Sequence, residues 1–181
     1  MSTTPTRDDA LVSFADGVWI GTEPVRILGM PLTTSMAVLR LGDGSLLLYS
    51  PVRLTPERRA AVEALGHISH LYAPNLYHHL WLGDWASAFP AARVHAPKGL
   101  EKKRPDVRID RLTNSEPDPS VAGVVEERGI EGFRLRESVL LYRPANTLVV
   151  ADLVHNIGRP HHWWTRCYTC LLYTSPSPRD S

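Results

Sequence analysis

The sequence predicts a mixed α/β domain built in layers, and three observations carry that prediction. Short apolar segments up to Tyr49 turn back on themselves at Gly42-Asp43-Gly44. Strand-like and helix-like patterns then alternate through the centre of the chain. A second hairpin pattern follows at 138–142 and 147–151, across Arg143-Pro144-Ala145-Asn146. Meander, alternation and hairpin in that order fit sheets covered by helices.

Each element has a local reason. Residues 11–14 and 17–20 alternate loosely, as edge strands do, and 25–28 is a further short apolar run. Residues 35–41 form a clear strand, and 45–49 return as its partner across the glycine turn. Leu46-Leu47-Leu48 is apolar without alternation, the pattern of a strand covered on both faces. Thr55, Pro56 and Glu57 start a helix: a hydroxyl at the N-cap, a proline where its missing N–H costs nothing, and an acid in the positive first turn. Gly66 stops it. Residues 67–72 read as a strand, 84–89 as a helical segment, 92–96 as a strand and 99–104 as a short helix. The run Lys102-Lys103-Arg104 reads as a solvated helix end. Residues 105–120 read as a surface loop with a short strand at 107–109, and 121–126 as another strand.

Composition bounds the function. The chain has 181 residues, 43% hydrophobic and 22% charged, which fits one globular domain with a real core. A formal charge of +1 and a pI near 7.9 give no electrostatic case for nucleic acid or an anionic membrane. No apolar run is long enough to span a bilayer. Residues 1–10 are polar and lack an apolar signal core, so they read as a disordered leader on a cytoplasmic protein. Cys167 and Cys170 are spaced as a redox pair or half a zinc site. From Cys170 onward, however, the run Cys-Leu-Leu-Tyr-Thr-Ser-Pro-Ser-Pro-Arg-Asp resembles one reading frame of a sequencing-library adapter. Residues 170–181 therefore read as a non-native tail, the cysteine pair loses its second member, and the domain at 11–169 reads as truncated at its C-terminal side.

The candidate site lies in Ala73-Pro74-Asn75-Leu76-Tyr77-His78-His79, between a strand and a helix. Neighbouring side chains on a strand point to opposite faces, whereas two histidines on a turn are able to converge. Asp152 stands at the end of the last strand pattern, with His155 close behind. Taken as residues alone, these groups fit either an ion site or polar turn residues bonded to nearby backbone. Trp81 and Trp85, four apart, read as core packing.

The run Ala73, Pro74, Asn75, His78, His79, Gly83, Asp84 and Trp85, together with Ser50-Pro51, Lys102 to Asp106, Asn146-Thr147-Leu148 and Asp152, resembles the metallo-β-lactamase-like superfamily. More closely, it is similar to a bacterial branch classed as a domain of unknown function with an Ala-Pro-Asn-x-x-His-His signature. The resemblance implies an αββα sandwich with its site at one edge of the paired sheets. The superfamily's hydrolases hold two zinc ions with a His-x-His-x-Asp-His motif, a later Gly-His, a Gly-Asp and a final His. On that pattern His78 and His79 fall on the Asp-His end, Pro74 and Leu76 replace the first two histidines, Gly132-Phe133 replaces Gly-His, and Asp152 takes the Gly-Asp aspartate. The resemblance thus implies a reduced site: one zinc or iron ion, or none, at His78, His79 and Asp152, with Asp84, His155 and Asn75 behind them. The implied function is a mononuclear metal hydrolase of unspecified small-molecule substrate. The alternatives are a non-catalytic binding module on the same fold and an iron-containing redox protein. No nucleic-acid or membrane partner is expected, and the oligomeric state is left open.

Overall fold

The computed structural model describes residues 10–27, 29–130 and 137–152. Residues 1–9 of the expected leader, the expected tail, Gly132-Phe133 and His155 lie outside the described residues.

Seven strands form the larger sheet in chain order: β1 (Val12–Ala15), β2 (Val18–Ile27), β3 (Met30–Arg40), β4 (Leu46–Tyr49), β5 (Ile68–Tyr72), β6 (Arg93–Ala96) and β7 (Arg111–Leu112). The first four pair antiparallel, and β4 to β7 pair parallel. A parallel neighbour needs a crossover. Helices α1 (Pro56–Glu63), α2 (Leu82–Ala88) and α3 (Leu100–Lys103) lie in those crossovers. A second, antiparallel sheet has the order β10-β9-β8, from β8 (Val125–Gly129), β9 (Ser138–Tyr142) and β10 (Thr147–Val149).

The pleat of the large sheet sorts its side chains into two cores. Met36, Val38, Leu46, Leu48 and Leu71 pack with Val62, Leu82, Trp85 and Leu100 of the helices. Ala37, Leu39, Leu47, Tyr49 and Tyr72 pack with Val125, Leu140, Tyr142 and Val149 of the small sheet. The all-leucine run of β4 is explained by this arrangement, since both of its faces are covered. Two tyrosines tie the sheets at opposite ends: Tyr49 Oη donates to the Ser138 carbonyl at 3.0 Å, and Tyr142 Oη to the Arg40 carbonyl at 2.9 Å. The fold is a mixed α/β sandwich in which two sheets pack face to face and the helices pack on the other face of the larger one.

Local chemistry fixes the boundaries. Thr55 Oγ1 accepts the Arg58 N–H at 3.1 Å and caps α1, with Pro56 in its first turn. Gly44 takes φ 81°, and the Asp43 carboxylate accepts the Ser45 N–H at 2.9 Å, closing the β3–β4 turn. Arg58 is buried and donates to the Glu23 carboxylate at 2.9 Å, locking α1 against β2. Trp85 is buried and donates from Nε1 to the Val52 carbonyl at 2.7 Å.

Two strand expectations shift. Residues 107–109 form no strand. The Asp110 side chain accepts the Val94 N–H at 2.9 Å, and its own N–H donates to the Val94 carbonyl, so regular pairing with β6 begins only at Arg111. Residues 121–124 form a turn, with the N–H groups of Val121 and Ala122 bonded to the Asp118 carbonyl, and β8 starts at Val125. Among the described residues, no helix is long and apolar enough to cross a membrane.

Candidate functional site

Two clusters of histidine and aspartate emerge, one between the sheets and one at their edge. The inner cluster follows from strand periodicity. On β5, Leu71 faces the helices, so His70 and Tyr72 face the small sheet; on β6, Val94 and Ala96 face the helices, so His95 faces the small sheet. The register pairs Tyr72 with His95 and His70 with Arg93, which makes the two histidines diagonal neighbours on one face. Their ring centroids lie 5.1 Å apart, and His70 Nδ1 sits 2.8 Å from His95 Nε2. Asp118, beyond β7, completes the group, with an oxygen 3.8 Å from His95 Nε2.

The proton directions follow from the partners. Arg111 is only a donor, so His95 Nδ1, at 3.4 Å from it, is the acceptor. His95 then carries its proton on Nε2 and donates to His70 Nδ1. His70 donates from Nε2 to Ser120 Oγ at 3.3 Å, and Ser120 donates to Asp118 Oδ1 at 2.5 Å. Arg93 lies 2.9 Å from Asp118 Oδ1 and 2.7 Å from Oδ2, but only the Oδ1 approach is aligned as a hydrogen bond.

Burial governs the charges. It lowers the His95 ring to about 3, reinforced by His70 and Arg111, and it lowers His70 as well. Both rings are therefore neutral at neutral pH, the form in which imidazole binds metal. Burial works to raise Asp118, but the hydrogen bonds from Ser120 and the charge of Arg93 outweigh it and hold the carboxyl below its usual range. A ligand atom from each of His70, His95 and Asp118 lies within 4.8 Å of the others, close enough for the three to hold one cation. His70 ligating through Nδ1 would keep its Nε2–H on Ser120, the second hydrogen bond that metal-bound histidines usually make. The rings would have to part by about 0.5 Å and the proton between them to leave, given zinc–nitrogen bonds of about 2.0–2.1 Å. The guanidiniums of Arg93 and Arg111 beside the group favour loss of that proton but oppose entry of a cation electrostatically. His95 and Asp118 also line a cavity of ≈420 Å³ between the sheets, with Tyr72, Arg111, Asn114 and Glu127 around them.

The edge cluster is built from loops beyond the strand ends. His78 Nε2 lies 3.0 Å from Asp152 Oδ1, and His78 Nδ1 lies 2.7 Å from Ser50 Oγ. Asn75 donates to Asp152 Oδ2 at 2.8 Å, while its carbonyl oxygen accepts the N–H groups of Tyr77 and His78 at 2.8 and 3.0 Å. One side chain thus shapes the histidine turn and holds the carboxylate opposite it. The Glu137 carboxylate is buried and accepts the N–H groups of Ala151 and Asp152 at 2.6 and 2.7 Å, fixing the other wall.

Of the expected ligands, the structure brings His78 and Asp152 together and sends His79 elsewhere. His79 is buried with its Nδ1 unbonded, and burial, then Lys103 and Arg104, lower its pKa. Asp84 is exposed in the first turn of α2, and its charge acts on Arg104. The expected solvated basic run instead braces the turn. Lys103 donates to the Leu76 carbonyl at 2.7 Å and lies over the Tyr77 ring, and Arg104 donates to the His79 carbonyl at 2.9 Å.

No family model and no curated protein matches the chain. Solved structures do. The DIM-1 metallo-β-lactamase exposed to ceftazidime aligns with a TM-score of 0.60 at 12% identity, over 77% of this chain and 67% of that one. Metallo-β-lactamase IND-7 aligns with a TM-score of 0.58 at 10% identity, over 94% and 87%. FIM-1 from Pseudomonas aeruginosa, in a mono-zinc form, aligns with a TM-score of 0.52 at 13% identity, over 72% and 63%. At such identities the likeness is one of fold.

Proposed function

We propose that this chain is a metal-dependent, hydrolase-type protein on the metallo-β-lactamase fold that holds one zinc or iron ion through His70, His95 and Asp118. The observation that carries the reading is the approach of three ligand atoms within 4.8 Å beside the inter-sheet cavity. Two imidazoles and a carboxylate suit zinc or iron, and a hydrolytic zinc ion takes about three protein ligands plus a water. When bound, such an ion would activate that water or polarise a carbonyl. The chain's own groups would hold the substrate: Arg111 and Asn114 offer donors at the cavity wall, and Leu47, Val125 and Leu140 an apolar surface. A second reading places the ion at the edge, on His78 and Asp152, and the 3.0 Å approach of those two groups favours it. That pair supplies only two ligands of these types among the described residues.

Equilibrium titration of chelator-treated protein with cobalt(II) or zinc separates the readings. The inner site predicts uptake of one ion, weakened at least about 100-fold in His95→Ala and unchanged in His78→Ala. Uptake lost in His78→Ala, or no uptake at all, contradicts it. A bound ion that changes colour with redox state would favour an oxygen- or electron-handling role over hydrolysis.

A further inference from the structure

The edge cluster has the connectivity of a nucleophile relay, and this does not depend on the cation reading. In the neutral ring, Asp152 takes the proton on Nε2, which leaves Nδ1 as acceptor for the Ser50 hydroxyl at 2.7 Å. Both nitrogens of His78 are thereby occupied. The ring can take a proton only from Ser50, while Asp152 holds it in the accepting tautomer, as the carboxylate does in a Ser-His-Asp triad.

The backbone gives a second, independent sign. Ser50 directly follows β4 with φ 56°, in the left-handed region that a residue with a Cβ avoids. Its N–H is still used, donating to the Tyr72 carbonyl at 2.8 Å, so the turn is pinned to the ladder of β5. A serine on a strained turn at a strand's end, aimed at a histidine, is how one large hydrolase class presents its nucleophile. Ser50 itself is only 3% exposed, whereas the His78 and Asp152 side chains are 17% and 18% exposed. Access is therefore from the His78 side, and a small acyl group fits that approach better than a bulky one.

We propose that Ser50 is an acylatable serine activated by His78 and Asp152, and that this edge hydrolyses small carboxylic esters without a metal. The Ser50 oxygen bonds the ester carbonyl carbon while its proton passes to His78 Nδ1. The carbon–alkoxy bond breaks, and the leaving alcohol takes that proton. Water then attacks the acyl carbon, gives its proton to His78, and the acid departs as Ser50 recovers its hydrogen.

The test is labelling of the chelator-treated full chain with a small dialkyl fluorophosphate. The serine oxygen replaces fluoride at phosphorus, and the adduct is mapped by peptide mass. The expected result is one adduct, on Ser50, formed at least tenfold more slowly in His78→Gln and in Asp152→Asn. The position of the adduct in the unsubstituted protein carries the test even if a variant folds poorly. Absence of an adduct on Ser50, loss of labelling on chelation, or an unchanged rate in either variant overturns the proposal.

Discussion

The inner trio of His70, His95 and Asp118 and the edge trio of Ser50, His78 and Asp152 use nearly the same side chains in opposite settings. The inner histidines stand on strand faces and Asp118 on the loop beyond β7, all buried, with their protons handed along a chain that ends on a carboxylate gripped by Arg93. The edge groups lie beyond strand ends, His78 and Asp152 partly open and Ser50 buried, and Asp152 is held by Asn75, whose side chain also shapes the histidine turn. Burial keeps the inner rings neutral, the form in which imidazole can ligate a cation. Hydrogen bonding leaves Nδ1 of the edge ring as an acceptor facing Ser50. Environment, more than residue type, assigns the chemistry.

That contrast can be broken from either side. The largest expected effect is on acid stability of metal-free protein. His95 titrates near 6.5 when unfolded and at about 3 when folded. Below the unfolded value the unfolded chain binds a proton that the folded chain refuses. Stability is therefore lost as pH falls from about 6.5 towards about 3, by an amount on the order of a few kcal/mol. Urea midpoints between pH 7 and pH 4 should fall, and His95→Gln should flatten the decline. Asn75→Ala comes next: it strips two backbone N–H groups and Asp152 of a partner, for about 1–3 kcal/mol by urea unfolding. It should leave cation uptake by the inner trio unchanged. Ser120→Ala removes one link of the inner chain and should weaken cation binding about tenfold in the same titration. Lys103→Met should cost less than about 1 kcal/mol in Tm-derived stability, since its bond to the Leu76 carbonyl is exposed.

The two regions also differed in how far they could be seen in the sequence. The layered fold was legible because β4's leucine run, the Thr55-Pro56 helix start and the glycine turn are each decided locally. At the edge, His78, Asn75 and Asp152 stood out because polar groups on a strand-end turn break the apolar pattern. Ser50 gave no such signal, since its φ of 56° is set by the β4–β5 ladder and the turn beyond it. The inner trio is hard to see in the sequence because it exists only once β5 and β6 are in register. A signal was present: His70 and His95 alternate with Leu71, Val94 and Ala96, which places both on the same inward face. His79 shows the converse, a histidine in a conspicuous motif whose ring the fold buries away from its neighbour's partner.

The most direct test of the separation between the two trios is a crystal structure of zinc-soaked protein with anomalous data collected at the zinc edge. One peak is expected, within bonding distance of His70 Nδ1, His95 Nε2 and an Asp118 oxygen, with the Ser50–His78–Asp152 chain intact and metal-free. A peak between His78 and Asp152, with none between the sheets, would contradict it.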